Sequence, residues 1–117
     1  MHRFRDLQIW KLSRKFCTDI YRTTQSFPDV EKFGLMNQLR RAAVSIPSNI
    51  AEGSSRSSNK DFCRFIEISL GSAYEVETQL LICHDLNYIS DLEIQSLTTK
   101  LRDIIRMTHK FKMTLVN

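Results

Sequence analysis

The chain has 117 residues, 42% of them hydrophobic and 26% charged, which is typical of one soluble globular domain with a single core. No apolar stretch approaches the roughly 20 residues of a membrane span, and no apolar signal core follows the N-terminus, so a cytoplasmic protein is expected. The net charge of +4 is uneven, since residues 1–15 and 94–117 are basic whereas residues 60–93 carry two Lys/Arg against seven Asp/Glu.

The first predicted helix spans about residues 6–25 and ends before Phe27-Pro28. Its apolar side chains cover roughly 220° of the helix circumference, more than the about 100° that one core-facing stripe requires. The excess predicts a second buried surface, either a deeper core or a subunit interface. The apolar residues of this helix are Leu7, Ile9, Trp10, Leu12, Phe16, Cys17, Ile20 and Tyr21.

The second predicted helix spans about residues 30–52 and contains Pro47. A proline inside a helix removes one backbone hydrogen bond and clashes with the carbonyl four residues earlier, here that of Ala43, at a cost of about 3 kcal/mol. We therefore expect a bend near Pro47 that serves packing. Gly53 is expected to end the helix in the left-handed conformation.

The third and fourth helices are predicted over about residues 59–86 and 91–115. Ser58 and Ser90 are predicted N-caps, the latter in a capping box with Glu93, and Asn87 can end the third helix in the left-handed conformation. Because the loops are short, consecutive helices should be antiparallel neighbours. The sequence thus predicts an all-α, antiparallel up-down four-helix bundle, with residues 1–117 as one domain and helix 2 kinked near Pro47.

The sequence gives little support for catalysis. The histidines His2, His84 and His109 have no metal-ligand spacing, and no glycine-rich phosphate loop or nucleophile elbow is present. The three cysteines, Cys17, Cys63 and Cys83, form no CxxC pair and read as small buried side chains in a reducing compartment. We expect no enzyme activity, metal or cofactor.

Glu77 stands among apolar residues of helix 3, so at least partial burial is expected. A buried carboxylate needs a partner, and Arg40 and Arg41 on the neighbouring helix are the candidates. The predicted Arg40/Arg41–Glu77 pairing could form within one subunit or between subunits. The alternative is a solvated Glu77 at the helix edge.

Basic side chains repeat along the polar faces of helices 1 and 4, where they could contact a phosphate backbone. An ordinary solvated helix face is the alternative, as is contact with an acidic protein partner or with the chain's own acidic segment. The candidate nucleic-acid-binding residues are Lys11, Lys15, Arg22, Arg102, Arg106 and Lys110.

Several motifs together resemble the four-helix bundle proteins of the 23S rRNA intervening-sequence family. The most specific is the run from Arg40-Arg41-Ala42 through Ala51-Glu52-Gly53, accompanied by Phe4-Arg5-Asp6-Leu7-Gln8-Ile9-Trp10, Phe27-Pro28, Gly34-Leu35 and Gly71-Ser72-Ala73 with Glu75. The resemblance spans nearly the whole chain. Asn87 departs from the glycine common in the family, but asparagine tolerates the same backbone conformation.

The resemblance implies a left-handed bundle that assembles as a ring-like homopentamer. A similar bundle serves as the accessory protein of diversity-generating retroelements, which implies nucleic acid and a reverse transcriptase as partners there. For this chain we expect a non-catalytic homo-oligomer that binds RNA or DNA through its basic helix faces, or alternatively a protein-interaction scaffold. The expected structural or interface polar residues are Arg40, Arg41, Asn49, Glu52, Glu75 and Glu77.

Overall fold

The computed structural model describes residues 2–116, which form four α-helices and no β-strand. The helices are α1 (Gln8–Thr24), α2 (Leu35–Ser54), α3 (Asn59–Asp85) and α4 (Asp91–Met113). Short 3-10 turns at Phe4–Asp6 and Asp29–Glu31 precede α1 and α2. The predicted all-α, four-helix composition is confirmed.

The start of α2 lies later than predicted, at Leu35 instead of about residue 30. Asp29–Glu31 forms a separate 3-10 turn, and Gly34 has φ −110° and ψ −118°, which interrupts the helical path. The Glu31 carboxylate then accepts a hydrogen bond from the Leu35 N–H at 3.1 Å. This side chain satisfies one of the free N–H groups at the start of α2.

The predicted caps of α3 and α4 are confirmed. Ser58 Oγ accepts a hydrogen bond from the Asp61 N–H, and Ser90 Oγ accepts one from the Glu93 N–H, each at 3.1 Å. Asn87 has a φ of 64°, the left-handed conformation expected after α3. Because each signal acts within a few residues, it could be recognised in the sequence.

The prediction for Gly53 was wrong. Gly53 lies inside α2, and no glycine among residues 2–116 has a positive φ. A Cβ atom built on Gly53 would lie 2.7 Å from Phe65 Cβ and 2.8 Å from Phe62 Cδ1. The glycine is needed because α2 and α3 approach closely at this point.

Contacts between side chains give the arrangement of the helices. Between α2 and α3, Ser72 Oγ donates to Ser45 Oγ at 2.8 Å, and Gln79 Nε2 lies 3.5 Å from Gln38 Oε1. Between α1 and α4, Lys100 Nζ lies 3.2 Å from Asp19 Oδ2. The most completely buried core side chains include Phe16, Ile20, Leu39, Ile46, Ile50, Ile66, Leu80 and Leu101.

Pro47 lies inside α2 and is buried. Two side chains hydrogen-bond to the backbone around it. Ser69 Oγ on α3 donates to the Ile46 carbonyl at 3.0 Å, and Asn49 Nδ2 donates to the Ser45 carbonyl at 2.8 Å. These bonds tie the proline-containing segment to α3 and to the next turn of α2.

The broad apolar arc of α1 is mostly covered within the chain, because Tyr21 is its one member with an exposed side chain. On α3, the apolar side chains of Ile68, Leu81 and Ile82 are exposed. None of the helices in residues 2–116 combines the length and apolarity that a membrane crossing requires.

Candidate nucleic-acid interface

The seam between α1 and α4 forms a groove of about 220 Å³. Its floor is apolar and consists of Leu12 on α1 with Ile104 and Met107 on α4. Charged side chains from both helices surround this floor, namely Lys15, Asp19, Lys100, Asp103 and Arg106. Of the six predicted nucleic-acid-binding residues, the structure thus brings Lys15 and Arg106 to one groove.

Ion pairs neutralise part of the positive charge in this groove. Arg106 Nη2 lies 3.2 Å from Asp103 Oδ1, in addition to the Lys100–Asp19 pair. Lys15 forms no ion pair with the residues that the structure describes. Among the three cationic side chains of this groove, Lys15 is therefore the one whose charge no ion pair within the described residues neutralises.

A second groove continues along the same seam. It is lined by Arg22 with Asp19, Glu93 and Lys100, among other residues. Lys100 and Asp19 line both grooves, so the two grooves share one boundary. Arg22 therefore lies along the same α1/α4 surface as Lys15.

Lys11 and Lys110 are exposed on α1 and α4 but line neither groove. Lys100, which lines both, was not among the predicted binding residues. Its position toward α1 follows from the Asp19 contact, which connects residues far apart in the sequence. Lys100 falls outside the four-residue spacing of Arg102, Arg106 and Lys110, so this spacing did not predict it.

Arg102 lies on the other side of α4. Its Nε donates to Glu77 Oε2 on α3 at 3.3 Å, and 71% of the Arg102 side chain is exposed. Tyr74 Oη and His109 Nε2, 3.1 Å apart, join the same pair of helices. The predicted stripe of Arg102, Arg106 and Lys110 is thus divided between two sides of α4.

The predicted Arg40/Arg41–Glu77 pairing is not formed within the chain. Glu77 contacts Arg102 instead, and its side chain is 23% exposed, which confirms the expected partial burial. Arg40 Nε donates to Thr24 Oγ1 at 2.7 Å, and its guanidinium lies 4.4 Å from the centre of the Tyr21 ring. Arg40 therefore joins α2 to α1, a pairing that helix periodicity alone does not reveal.

The remaining polar residues of the family motif lie near the α2/α3 seam. Arg41 and Glu75 are exposed and line one groove with Ser45 and Ser72. Asn49 Nδ2 also donates to Ser45 Oγ at 2.9 Å, and Glu52 lies 3.4 Å from Arg56, which follows the end of α2. The Asn49 amide thus has a structural use, whereas Glu52 makes an exposed ion pair.

Two of the three thiols have raised pKa values. Burial raises the pKa of Cys17, and burial together with the charge of Glu31 raises the pKa of Cys83 to about 11. His84 Nε2 lies 2.7 Å from Asp91 Oδ1 in an exposed pair. No cluster of His, Cys, Asp and Glu suited to a metal ion occurs in the described part of the chain.

Comparisons with known proteins place the chain in a family. The solved structure of a protein of unknown function from the S23 ribosomal protein family of Bacteroides thetaiotaomicron VPI-5482 superposes with a TM-score of 0.80. At 23% identity, covering 89% of this chain and 97% of that one, this likeness shows the fold. No curated protein sequence matches this chain. The family model for the 23S rRNA-intervening sequence protein matches residues 5–110, and the chain therefore belongs to this family.

Proposed function

We propose that this protein is a non-catalytic, homo-oligomeric helical bundle that binds RNA through the seam between α1 and α4. The observation that carries the proposal is the position of Lys15, Arg22 and Arg106 along this one seam, together with Lys100. Cations on one surface can neutralise successive phosphates, which releases counterions from the nucleic acid. Lys11 and Lys110 extend the basic character of the same two helices.

Self-association is part of this proposal because a single seam carries acids as well as bases. Asp19 and Asp103 offset part of the positive charge, so one copy would bind weakly. Repeating the seam around an assembly raises the effective affinity through multivalency. The family resemblance supports a ring of five copies, each an antiparallel, left-handed up-down bundle bent at Pro47. The free thiols of Cys17, Cys63 and Cys83 support a cytoplasmic location.

The test measures fluorescence anisotropy of a labelled single-stranded RNA, with a DNA of the same sequence for comparison. Affinity should fall steeply between about 50 and 200 mM salt, and Lys15→Ala should weaken binding and reduce the log–log salt slope by about 0.7 per lost phosphate contact. Lys60→Ala is the matched control, because Lys60 is another exposed lysine, at the start of α3.

Three outcomes would contradict the proposal. They are no binding at low salt, an affinity that does not change with salt, and equal effects of Lys15→Ala and Lys60→Ala. The first excludes nucleic acid as a ligand. The second excludes phosphate contacts as the source of affinity, and the third excludes the α1/α4 seam as the binding surface.

The apolar floor of the groove favours a second candidate, an acidic protein partner. An amphipathic helix could cover Leu12, Ile104 and Met107 while its carboxylates meet Lys15 and Arg106. Met107→Ser distinguishes the two functions. It should leave RNA binding unchanged, since phosphates do not contact the floor, but should weaken binding of an acidic amphipathic peptide.

A further inference from the structure

A second exposed surface lies on the opposite pair of helices and takes no part in the proposed RNA site. We call it the α2/α3 face and define it by Arg41, Val44 and Ser48 on α2 and Ile68, Gly71, Glu75 and Ile82 on α3. The α3 members recur at intervals of three, four and seven residues, which places them on one side of the helix. The face therefore runs along the outer side of α3 beside α2.

Gly71 is unexplained within a single chain. It lies in the interior of the 27-residue helix α3, and no atom lies within 4 Å of a Cβ built on it. A glycine in a helix interior is destabilising relative to alanine, because more backbone entropy is lost on folding. Gly53 contrasts with it, because there the side chains of Phe62 and Phe65 within the chain leave no space for a Cβ.

Exposed apolar side chains lie on both sides of Gly71. Ile68 is 50% exposed, Ile82 is 42% exposed, and Val44 on α2 is 39% exposed. Each lies outside the core that the four helices share. Burying them against a partner would remove apolar surface from water, which favours association.

The charges of the face complement each other without pairing inside the chain. Arg41 and Glu75 line the same groove, yet neither forms an ion pair within residues 2–116. Because the base lies on α2 and the acid on α3, the α2 side of one copy can meet the α3 side of the next copy, which is the head-to-tail contact that a ring requires. Nucleic acid is a poorer match, because the unpaired Glu75 carboxylate would repel phosphates.

A buried polar atom beside this groove also lacks a partner. Gln79 is 8% exposed, and its Oε1 is the one buried side-chain polar atom without a hydrogen bond in the described residues. Its Nε2 donates to Glu75 Oε2 at 3.2 Å, so Gln79 adjoins the groove directly. An unsatisfied buried acceptor is destabilising, so a rearrangement of the Gln79 amide on association that gave Oε1 a donor would favour the assembled state.

We infer that the α2/α3 face is the surface through which copies of this chain associate, with Gly71 at the point of closest approach. The inference rests on the self-association in the proposed function and specifies its interface. Arg41 of one copy faces Glu75 of its neighbour, and the isoleucines beside Gly71 become buried. The α1/α4 seam remains free for RNA.

The test measures molar mass by light scattering over a dilution series, with circular dichroism to verify folding. Arg41→Glu and Glu75→Lys should each raise the dissociation constant of the assembly at least about tenfold, equivalent to about 1.4 kcal/mol. The double variant Arg41→Glu/Glu75→Lys should recover assembly because the charges are exchanged. Gly71→Arg should dissociate the assembly, whereas Thr99→Arg, which adds the same side chain to an exposed site on α4, should not.

Gly71→Ala keeps the inference testable even if a larger side chain disturbs folding. Since nothing in the chain occupies the added Cβ position, this change should raise the melting temperature of the diluted monomer while weakening assembly. If the wild type assembles and all these variants have the same assembled mass as the wild type, the proposed interface alone is wrong. A wild type that stays at 13.7 kDa at every concentration would overturn self-association as well, while RNA binding by that monomer would leave the α1/α4 site standing.

Discussion

Tyr88 Oη donates a hydrogen bond to Glu31 Oε2 at 2.9 Å and thereby joins the two connections at one end of the bundle. The other oxygen of the same carboxylate accepts the Leu35 N–H at the start of α2. The rings of Tyr88 and Phe27 lie 5.3 Å apart beside this contact. One acidic side chain thus caps a helix and holds two loops together, although it lies in a 3-10 turn of three residues.

Replacing Glu31 should destabilise the fold measurably. Glu31→Ala removes the acceptor of the Leu35 N–H and of Tyr88, and we expect the free energy of unfolding to fall by about 1 kcal/mol, as for other lost helix caps. Urea denaturation followed by circular dichroism measures this change. Glu52→Ala, which removes an exposed ion pair with Arg56, serves as the control and should cost at most about 0.5 kcal/mol.

Stability should also decrease in alkaline solution because of Tyr88. The hydrogen bond to Glu31, with a smaller contribution from burial, raises the pKa of Tyr88 above its ordinary value of 10.0. A group whose pKa is raised in the folded state stabilises the fold below its unfolded pKa, and this contribution is lost as the pH rises through the folded pKa. The wild type should therefore lose stability above about pH 10, and Tyr88→Phe should lose less over the same range. If the stability of both proteins fell equally with pH, Tyr88 would not be the source of the alkaline destabilisation.

The helix boundaries that the sequence predicted correctly depend on local interactions. Ser58 and Ser90 bond to N–H groups three residues later, and Asn87 adopts the left-handed conformation that its short polar side chain tolerates. Such signals require no knowledge of the tertiary structure.

The errors concern relations between helices. Gly53 looked like a helix end, but its role depends on Phe65 of α3, twelve residues away. The pairing of Glu77 with Arg40 or Arg41 is not formed within the chain, because the contact of Glu77 with Arg102 depends on how α3 is rotated against α4, and the pairing between subunits stays a prediction. Helix periodicity defines which residues share a face but does not define which neighbour that face meets.

The close contact at Gly53 predicts a cost for the smallest possible side chain. In Gly53→Ala the new Cβ would lie under 3 Å from both Phe62 and Phe65, so the helices must shift apart. We expect a loss of about 1–3 kcal/mol, typical of overpacked cores, despite the better helix propensity of alanine. Thermal unfolding measures it, with Thr99→Ala on exposed α4 as the control. If Gly53→Ala were more stable than the wild type, α2 and α3 would have room for the added Cβ at this point.

Cys83 should resist thiol reagents in the folded protein. It is fully buried, and its pKa of about 11 leaves little reactive thiolate near neutral pH. In a Cys17→Ser/Cys63→Ser variant, reaction with a chromogenic disulfide at pH 8 should be slow until urea is added. Rapid reaction of the folded variant would mean that the core opens readily around Cys83.

The contact between Arg102 and Glu77 should appear as a coupling energy in a double-mutant cycle. Arg102 is largely exposed, so we expect the coupling to lie between about 0.2 and 1 kcal/mol, the range for exposed ion pairs. The cycle combines Arg102→Ala with Glu77→Gln and measures the free energy of unfolding of all four proteins.

The comparison cycle combines Arg40→Ala with Glu77→Gln. Because Arg40 bonds to Thr24 and Tyr21 on α1, these two changes should be additive within about 0.5 kcal/mol. A larger coupling in the Arg40 cycle than in the Arg102 cycle would restore the pairing predicted from the sequence. If that coupling appeared only in the assembled protein, the pairing would be one between subunits.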